Sequence, residues 1–234
     1  MLVGASGLGK TSFISTLLEK TAESVGEFSE HSLTIGGQDV RIIDTRGYGA
    51  HGDTAEKQRE IKEYISLSYH GFLDEETRSE RDVFFDDRRV HLVVHFLSVT
   101  AHGMKDYDLS LMKALHEHVN VIAAIPRCDQ HTEEELENIR KTIRYQIQEQ
   151  KIDLFSTEEI PESNTPIALF GADSGLVNGK PYTGRSLPTG TILLHDEKHC
   201  DFFLFVKLIS EARRDMMDTT KMHFYEKYRR SCFE

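Results

Sequence analysis

The feature that most constrains the fold is a glycine-rich segment close to the start of the chain. Residues 4–11 read GASGLGKT and fit the pattern G-x-x-x-x-G-K-[ST]. The segment follows a short apolar stretch, residues 1–3, and opens a helical pattern over residues 11–19. Strand, glycine loop and helix in this order predict a phosphate-binding loop, because backbone N–H groups curl around the anion at the N-terminus of the helix.

Two side chains of this loop have distinct predicted roles. Lys10 is expected to bridge the β- and γ-phosphates of a nucleotide, and Thr11 to place its hydroxyl on Mg²⁺. A glycine-rich turn that binds nothing is the alternative, and the strand–loop–helix context argues against it. The predicted nucleotide contacts in the loop are Gly4, Ala5, Ser6, Gly7, Leu8, Gly9, Lys10, Thr11 and Ser12.

The rest of the chain has the pattern of an α/β fold. Residues 91–98 and 119–125 are continuous apolar runs of strand length, as in strands that are covered on both faces. Strands alternate with helices, which predicts a doubly wound, mostly parallel sheet flanked by helices, in one domain spanning residues 1–234. Further elements are predicted as a hairpin at 27–43, a strand at 165–170, and helices at 57–67, 108–118, after a capping box at 132–135, and at 201–217.

A second motif, DTRG, ends the strand that follows the hairpin turn. Asp44 lies at the end of the second main strand after the phosphate loop, where an acidic residue linked to Mg²⁺ is expected. Gly47 is expected to offer its N–H to the γ-phosphate, so that its loop responds to hydrolysis. An aspartate that only caps a turn is the alternative.

A third motif follows the apolar strand 119–125. The carboxylate of Asp129 can accept hydrogen bonds from both N1–H and the N2 amino group of guanine. Adenine lacks this donor pair and would leave a desolvated carboxylate unpaired, so the motif predicts GTP or GDP rather than ATP. Arg127 stands where GTPases usually carry lysine, and its planar guanidinium can stack on the base.

Charge and cysteine content exclude several other classes. The net charge of −11 disfavours nonspecific binding to nucleic acid or to anionic lipid. Three widely spaced cysteines without a C-x-x-C pair indicate reduced thiols in a cytoplasmic protein. The longest apolar runs are too short to cross a bilayer, and the start of the chain does not have the pattern of a signal peptide.

Taken together, the motifs resemble those of a septin GTPase domain, and the resemblance covers nearly the whole chain. GASGLGKTS is similar to the septin sequence GESGLGKST, and DTRGYG is similar to DTPGFG. Glu76-x4-Arg81 and Asp87-x-Arg89-Val90-His91 resemble two septin motifs, and residues 101–108, AHGMKDYD, resemble GHGLKPLD. Residues 178–190 resemble the septin unique element near NGKxxxGRxYPWG, which we place at about 172–198.

The resemblance implies a Ras-like G domain with septin C-terminal elements, and further site residues. Arg185 would pack on the guanine, Gly171 would meet its O6 edge, and His102 would face the nucleotide of a partner. Glu135 is a further candidate base contact, although its place in the capping box already explains it.

The resemblance also implies what this chain assembles with. Subunits would pair with themselves or with other septins across their nucleotides, through the G interface, and alternation with a second interface would give cytoskeletal filaments. Hydrolysis of GTP would be slow. Membrane binding would depend on a basic segment outside this chain.

Departures from the septin pattern affect the expected interface and chemistry. Leu187 and Thr189 replace the usual Tyr and Trp, which removes large aromatic anchors from the expected G interface. Arg46 replaces a proline beside the γ-phosphate and is a candidate arginine finger. A surface arginine is the alternative, and Arg88 and Arg89 are rival candidates for the finger.

The connection between Lys10 and Asp44 is short for a segment that must complete a helix, pass the phosphates and form two strands. If the first helix ends near Thr21, about four residues remain before the hairpin, which span roughly 14 Å. A switch I loop with a threonine that positions Mg²⁺ and water hardly fits there, so we name no such threonine. We expect additional residues before Met1, in this connection and between Phe155 and Thr165 in the full-length protein.

Two other readings remain beside the septin-type GTPase. A non-hydrolysing scaffold that holds GTP or GDP only to stabilise an interface is compatible with the short connection and the altered DTRG loop. A membrane-surface GTPase of the immune or chloroplast-import type is disfavoured, because the chain has no transmembrane tail and carries the GRxxPxG element.

Overall fold

The computed structural model describes residues 1–49, 54–82, 84–100, 102–157, 164–177, 180–187 and 190–233. Its centre is a six-stranded sheet in the order β2-β3-β1-β4-β7-β8. All neighbours run parallel except the hairpin pair β2 and β3. The strands are β1 (Leu2–Gly4), β2 (Phe28–Ile35), β3 (Gln38–Thr45), β4 (Leu92–Phe96), β7 (Asn120–Pro126) and β8 (Ile167–Leu169).

Helices cover both faces of this sheet, which confirms the predicted doubly wound α/β fold. On one face α2, α3 and α4 pack against β4 and β7 around Ile61, Leu111 and Ile143. On the other face α1, α5 and α6 pack around Phe13 and Phe205. The helices are α1 (Lys10–Leu18), α2 (Thr54–Thr77), α3 (Asp106–Leu115), α4 (Glu133–Glu149), α5 (Phe202–Ser210), α6 (Arg213–Thr219) and α7 (Glu226–Ser231).

The sheet order places the phosphate loop at a topological switch point. Strand β1 lies in the middle of the sheet, with β3 on one side and β4 on the other. The connection that follows β1 leads to β2 and β3 on one side, whereas the connection that follows β4 leads to β7 on the other side. Ligands of doubly wound folds bind in the crevice at the carboxyl ends of two such neighbouring strands. The loop at residues 4–9 and the DTRG motif therefore meet at one edge.

Two predicted helices differ from the structure. Helix α2 runs well beyond the predicted 57–67, because Tyr69 and Leu73 continue the four-residue spacing of Ile61 and Ile65 and are buried with them. The helix predicted at 201–217 is two helices, α5 and α6. The hydroxyl of Ser210 donates to the carbonyl of Val206 at 2.8 Å, a local bond that bends helices.

The last helical stretch contains a wide turn that the sequence pattern did not predict. Residues Thr220–Tyr225 form a π-helix between α6 and α7. Within it Thr220 and Tyr225 are buried, and the Tyr225 hydroxyl donates to Glu76 of α2 at 2.5 Å. This hydrogen bond therefore links α2 to the π-helix between α6 and α7.

The capping box in front of α4 is confirmed. The Thr132 hydroxyl accepts a hydrogen bond from the backbone N–H of Glu135, and the Glu135 carboxylate accepts one from the backbone N–H of Thr132. Two backbone donors at the helix start are thereby satisfied.

The predicted septin unique element contains a small antiparallel sheet of its own. Strands β9 (Asp173–Val177), β10 (Lys180–Leu187) and β11 (Gly190–Leu193) pair in the order β11-β10-β9. A Cβ atom at Gly184 would lie 2.1 Å from the carbonyl oxygen of Ile192, so the close pairing of β10 and β11 requires glycine there. Residues 178, 179, 188 and 189 lie outside the described residues. Thr189, which stands where septins usually have Trp, is one of them.

Strands β5 (Val99–Thr100) and β6 (Gly103–Met104) form a two-stranded hairpin beside the main sheet. In the part of the chain that the structure describes, no helix is both long enough and apolar enough to span a bilayer.

Candidate functional site

The phosphate loop has the backbone shape that an anion cradle needs. Gly7 and Gly9 adopt φ of 78° and 87°, in the left-handed region that favours glycine. A Cβ atom at Gly4 would lie 2.5 Å from the carbonyl oxygen of Phe96, so β1 can approach β4 this closely only with glycine. Helix α1 begins directly at Lys10, with its N-terminus facing the loop.

Lys10 lies across the loop with its charge buried. Its ammonium donates to the carbonyl oxygens of Gly4 at 2.8 Å and Ala5 at 3.0 Å, and the residue is 6% exposed. Burial lowers the pKa of Lys10 to about 8, and the Asp44 carboxylate opposes part of that shift. A phosphate offers this charge a better partner than two carbonyl groups.

Thr11 and Asp44, the two predicted metal ligands, are hydrogen-bonded to each other. The Thr11 hydroxyl donates to Asp44 Oδ2 at 2.6 Å, and Asp44 is 1% exposed. Its other oxygen, Oδ1, is buried and has no hydrogen-bond partner among the described residues. A hydroxyl and a carboxylate with a spare oxygen are hard ligands, so the two residues fit Mg²⁺.

The DTRG loop lies directly on the phosphate loop. The Ser6 N–H donates to the carbonyl of Tyr48 at 3.0 Å. A Cβ atom at Gly47 would lie 2.4 Å from the Ser6 nitrogen, so any larger residue would push the two loops apart. Gly47 therefore lies at the phosphate end of the site, where its N–H was predicted to act.

Arg46 is placed on the surface side of the same loop. Its side chain is 69% exposed and pairs with Glu27 Oε1 at 3.1 Å. Its backbone N–H donates to the Glu27 carbonyl at 2.9 Å. In this conformation the ion pair with Glu27 explains the position of the Arg46 side chain, and no catalytic contact is needed to explain it.

The base-reading motif forms a cluster at the other end of the site. Asp129 is 4% exposed, and its Oδ2 accepts a hydrogen bond from Arg185 at 2.9 Å. Its Oδ1 is buried and has no partner in the part of the chain that the structure describes, so this oxygen remains available to a ligand. Arg127 has a left-handed backbone, with φ of 52°, and its guanidinium donates to the Gly7 carbonyl.

A cavity of about 280 Å³ lies between this cluster and the phosphate loop. Gly171 belongs to its wall, and a Cβ atom there would lie 2.6 Å from the Ser12 Cβ. Residues that the resemblance assigned to the base and residues of the phosphate loop thus line the same cavity. Its lining includes Leu8, Ser12, Arg127, Phe170, Gly171 and Arg185.

Two other candidates lie away from the cavity. Glu135 is exposed, uses its carboxylate in the capping box, and is not among the described residues that line the cavity. His102 is exposed at the turn between β5 and β6, where its backbone N–H donates to the Thr100 hydroxyl at 3.2 Å. Ala101, the first residue of the motif at 101–108, lies outside the described residues.

Sequence reasoning missed four residues of the cavity wall, of which Phe96 and Leu169 lie in strands β4 and β8. The other two are Gln130 and Phe170. Each of these two directly adjoins a predicted contact, Asp129 and Gly171 respectively, and this adjacency was the available signal. A larger cleft of about 600 Å³ between β3, β4 and α6 contains none of the phosphate-loop residues.

Comparison with known proteins gives a consistent result along the whole chain. The family model described as Septin matches residues 1–234. The chain is 31% identical to septin homolog spn6 of Schizosaccharomyces pombe, over 98% of this chain and 68% of the relative. It is 30% identical to the neuronal-specific septin-3 of Homo sapiens, over 98% of this chain and 73% of the relative.

A solved structure shares the fold. The septin GTPase domain from Chlamydomonas reinhardtii superposes with a TM-score of 0.78 at 22% identity, over 98% of this chain and 96% of that one. The family model and the relatives cover the motifs described above, from the phosphate loop to the C-terminal helices. The chain belongs to the septin family.

Proposed function

We propose that this chain is a septin subunit that binds GTP or GDP with Mg²⁺, hydrolyses GTP slowly, and pairs with itself or other septins across the nucleotide. The observation that carries the guanine assignment is the Asp129 carboxylate. It is buried next to Arg185, which lines the cavity, and its Oδ1 has no hydrogen-bond partner among the described residues. A buried acceptor of this kind selects a base that brings a pair of N–H donors.

In this proposal each residue acts on a defined part of the nucleotide. Lys10 and the loop N–H groups bind the phosphates, and the N–H of Gly47 meets the γ-phosphate. Thr11 and Asp44 hold Mg²⁺, which neutralises charge that develops on the phosphate oxygens. The Asp129 carboxylate accepts hydrogen bonds from the N1–H and N2 amino groups of the base.

Two arginines complete the proposed base site. Arg127 and Arg185 flank the cavity and offer planar guanidinium groups for stacking. Because each carboxylate oxygen can accept more than one hydrogen bond, Asp129 Oδ2 can keep its bond to Arg185 while both oxygens accept from the base.

The small sheet β9–β11 supports the proposed pairing of subunits. It carries Arg185 on β10 and exposes two large apolar side chains, Leu176 at 73% and Leu193 at 45%. We assign these two side chains to the surface that a partner covers, because they are exposed on the same small sheet as the cavity residue Arg185. A partner that covers this sheet would also close the nucleotide site, as in the filament contact that we propose.

One observation favours the second candidate, a scaffold that holds nucleotide without hydrolysing it. The connection at residues 19–27 is tied to the end of α1, where the Ala22 N–H donates to the Ser15 hydroxyl at 3.0 Å. Thr21, the only threonine in that connection, is exposed and follows the C-terminal end of α1. No threonine of this connection therefore lies over the phosphate loop to position water.

Steady-state and single-turnover hydrolysis of GTP separates the two candidates. We expect slow release of phosphate by the full-length protein, and a change of less than about tenfold in Arg46→Ala, because Arg46 is exposed and paired with Glu27. A loss of about a thousandfold would instead make Arg46 an arginine finger. Bound nucleotide with no turnover in either protein would establish the scaffold.

Nucleotide affinity is expected to depend on pH through Lys10. Its pKa of about 8 in the empty protein means that the ammonium loses its proton as pH rises through that value. A bound phosphate stabilises the charged form and raises the pKa, so binding takes up a proton above pH 8. Affinity should fall about threefold between pH 7.5 and 8.5.

Titration calorimetry in buffers of different ionisation enthalpy measures that proton uptake directly. The Lys10→Arg variant, whose guanidinium keeps its charge over this range, serves as the control and should show no uptake. Equal uptake in both proteins would assign the proton to another group.

A further inference from the structure

A buried polar cluster lies next to the phosphate site and was not part of any predicted motif role. Tyr48 directly follows Gly47, and its hydroxyl oxygen is 2.6 Å from Asp108 Oδ1 and 2.6 Å from His95 Nε2. His95 and Asp108 are both fully buried, and Tyr48 is 3% exposed. Three polar side chains from the DTRG loop, β4 and α3 thus meet inside the core.

The proton positions in this cluster follow from valence. The Tyr48 hydroxyl has one proton and donates it to Asp108, so it accepts its second bond from the N–H at His95 Nε2. Burial and the Asp108 carboxylate raise the pKa of Tyr48, which keeps that proton in place. Burial would raise the pKa of Asp108, but bonds from His95, Tyr48 and Ser98 outweigh it and lower that pKa.

The cluster joins two segments that the proposed function connects. At one end, the Tyr48 carbonyl accepts from the Ser6 N–H of the phosphate loop. At the other end, Asp108 Oδ2 accepts from the Ser98 N–H at 2.8 Å, where the segment 98–108 begins. This segment contains the β5–β6 hairpin and His102.

Packing alone does not explain the tyrosine. Its ring packs edge-on against the Tyr107 ring, with 5.6 Å between the ring centroids, and a phenylalanine would make the same contact. The hydroxyl adds only the two bonds to Asp108 and His95. A buried carboxylate depends on each such bond, because losing one leaves charge uncompensated in the core.

We propose that Tyr48 is a positioning residue that couples the phosphate site to segment 98–108. The inference rests on the proposed nucleotide function. A γ-phosphate draws the N–H of Gly47 toward it and moves Tyr48 with it. Asp108 follows the hydroxyl, and Ser98 follows Asp108, so the hairpin that carries His102 adopts a position that differs between GTP and GDP.

The chain contains no tryptophan, so a single introduced indole reports on this segment without background. Lys105 is exposed between the hairpin and α3, which makes Lys105→Trp the reporter. In this background we expect tryptophan emission to differ between protein saturated with GDP and protein saturated with a non-hydrolysable GTP analogue. Adding Tyr48→Phe should abolish the difference, while fluorescent-nucleotide titration still shows binding of both.

Tyr69→Phe is the matched control. Tyr69 is 2% exposed and its hydroxyl donates to the His118 carbonyl at 2.8 Å, so the variant also loses one buried hydroxyl, away from the phosphate loop. It should keep the emission difference. Asp108→Asn is the second test and should lose it, because an amide cannot accept from both Tyr48 and Ser98 with the same strength.

An emission difference that persists in Tyr48→Phe, or that is missing from the reporter protein with both nucleotides bound, would overturn the coupling and leave nucleotide binding intact. Failure to bind either nucleotide would overturn the proposed function itself.

Discussion

Replacement of Asp129 by asparagine is expected to lower the affinity for GTP by about 10³- to 10⁵-fold and to give affinity for XTP in exchange. The carboxylate is buried, its Oδ1 has no partner among the described residues, and its Oδ2 has a second lone pair beside the Arg185 bond. Its two oxygens therefore match the N1–H and N2 amino donors of guanine. An amide offers one acceptor and one donor. Xanthine carries an oxygen at C2 in place of the amino group, and it fits the amide.

Competition of GTP and XTP against a fluorescent guanine nucleotide measures this exchange. Asp173→Asn is a matched control, because Asp173 is exposed on β9 and the same change there should leave both affinities as they are. Equal loss of both nucleotides, with a lowered melting temperature, would mean that Asp129 serves only to pair with Arg185.

Replacement of Lys10 by methionine is expected to weaken binding of GTP by about 10²- to 10⁴-fold, since two charge-assisted hydrogen bonds to phosphates contribute about 1.5–3 kcal/mol each. The methionine stem keeps the packing of the lysine stem in the loop. Without nucleotide, the Lys10→Met variant loses the hydrogen bonds to Gly4 and Ala5, which lowers its stability, but it also loses a buried charge, which raises it. The two effects on folding oppose each other, so the melting temperature without nucleotide should change little.

Binding and thermal unfolding of Lys10→Met are measured together for this reason. Lys20→Met, at an exposed position after α1, is the control and should bind GTP like the parent. Unimpaired binding by Lys10→Met would contradict the assignment of the phosphate site. A large drop in melting temperature without nucleotide would assign Lys10 a structural role.

Features that depend on a few consecutive residues were predictable from the sequence. The phosphate loop needs glycines at fixed spacing, and the capping box needs a threonine and a glutamate three residues apart; both are found where predicted. Apolar runs located β4 and β7, and the alternation of strands and helices predicted the sheet class. Such patterns are local because backbone conformation and helix capping are satisfied by near neighbours.

Features that depend on distant partners were not predictable. Helix α2 continues past its predicted end because Tyr69 and Leu73 pack against the core. The hydrogen bond of Tyr48 to Asp108 joins residues 60 apart in the chain, and the ion pair of Arg185 to Asp129 joins residues 56 apart.

By itself, the sequence determined which groups are available for phosphate, metal and base, because their chemistry and local spacing are written in the motifs. Only the tertiary structure decided which of them converge. It placed Arg185 on Asp129, turned Arg46 toward Glu27, and buried His95 beside Tyr48. Convergence depends on sheet order and packing, which no short stretch of the chain contains.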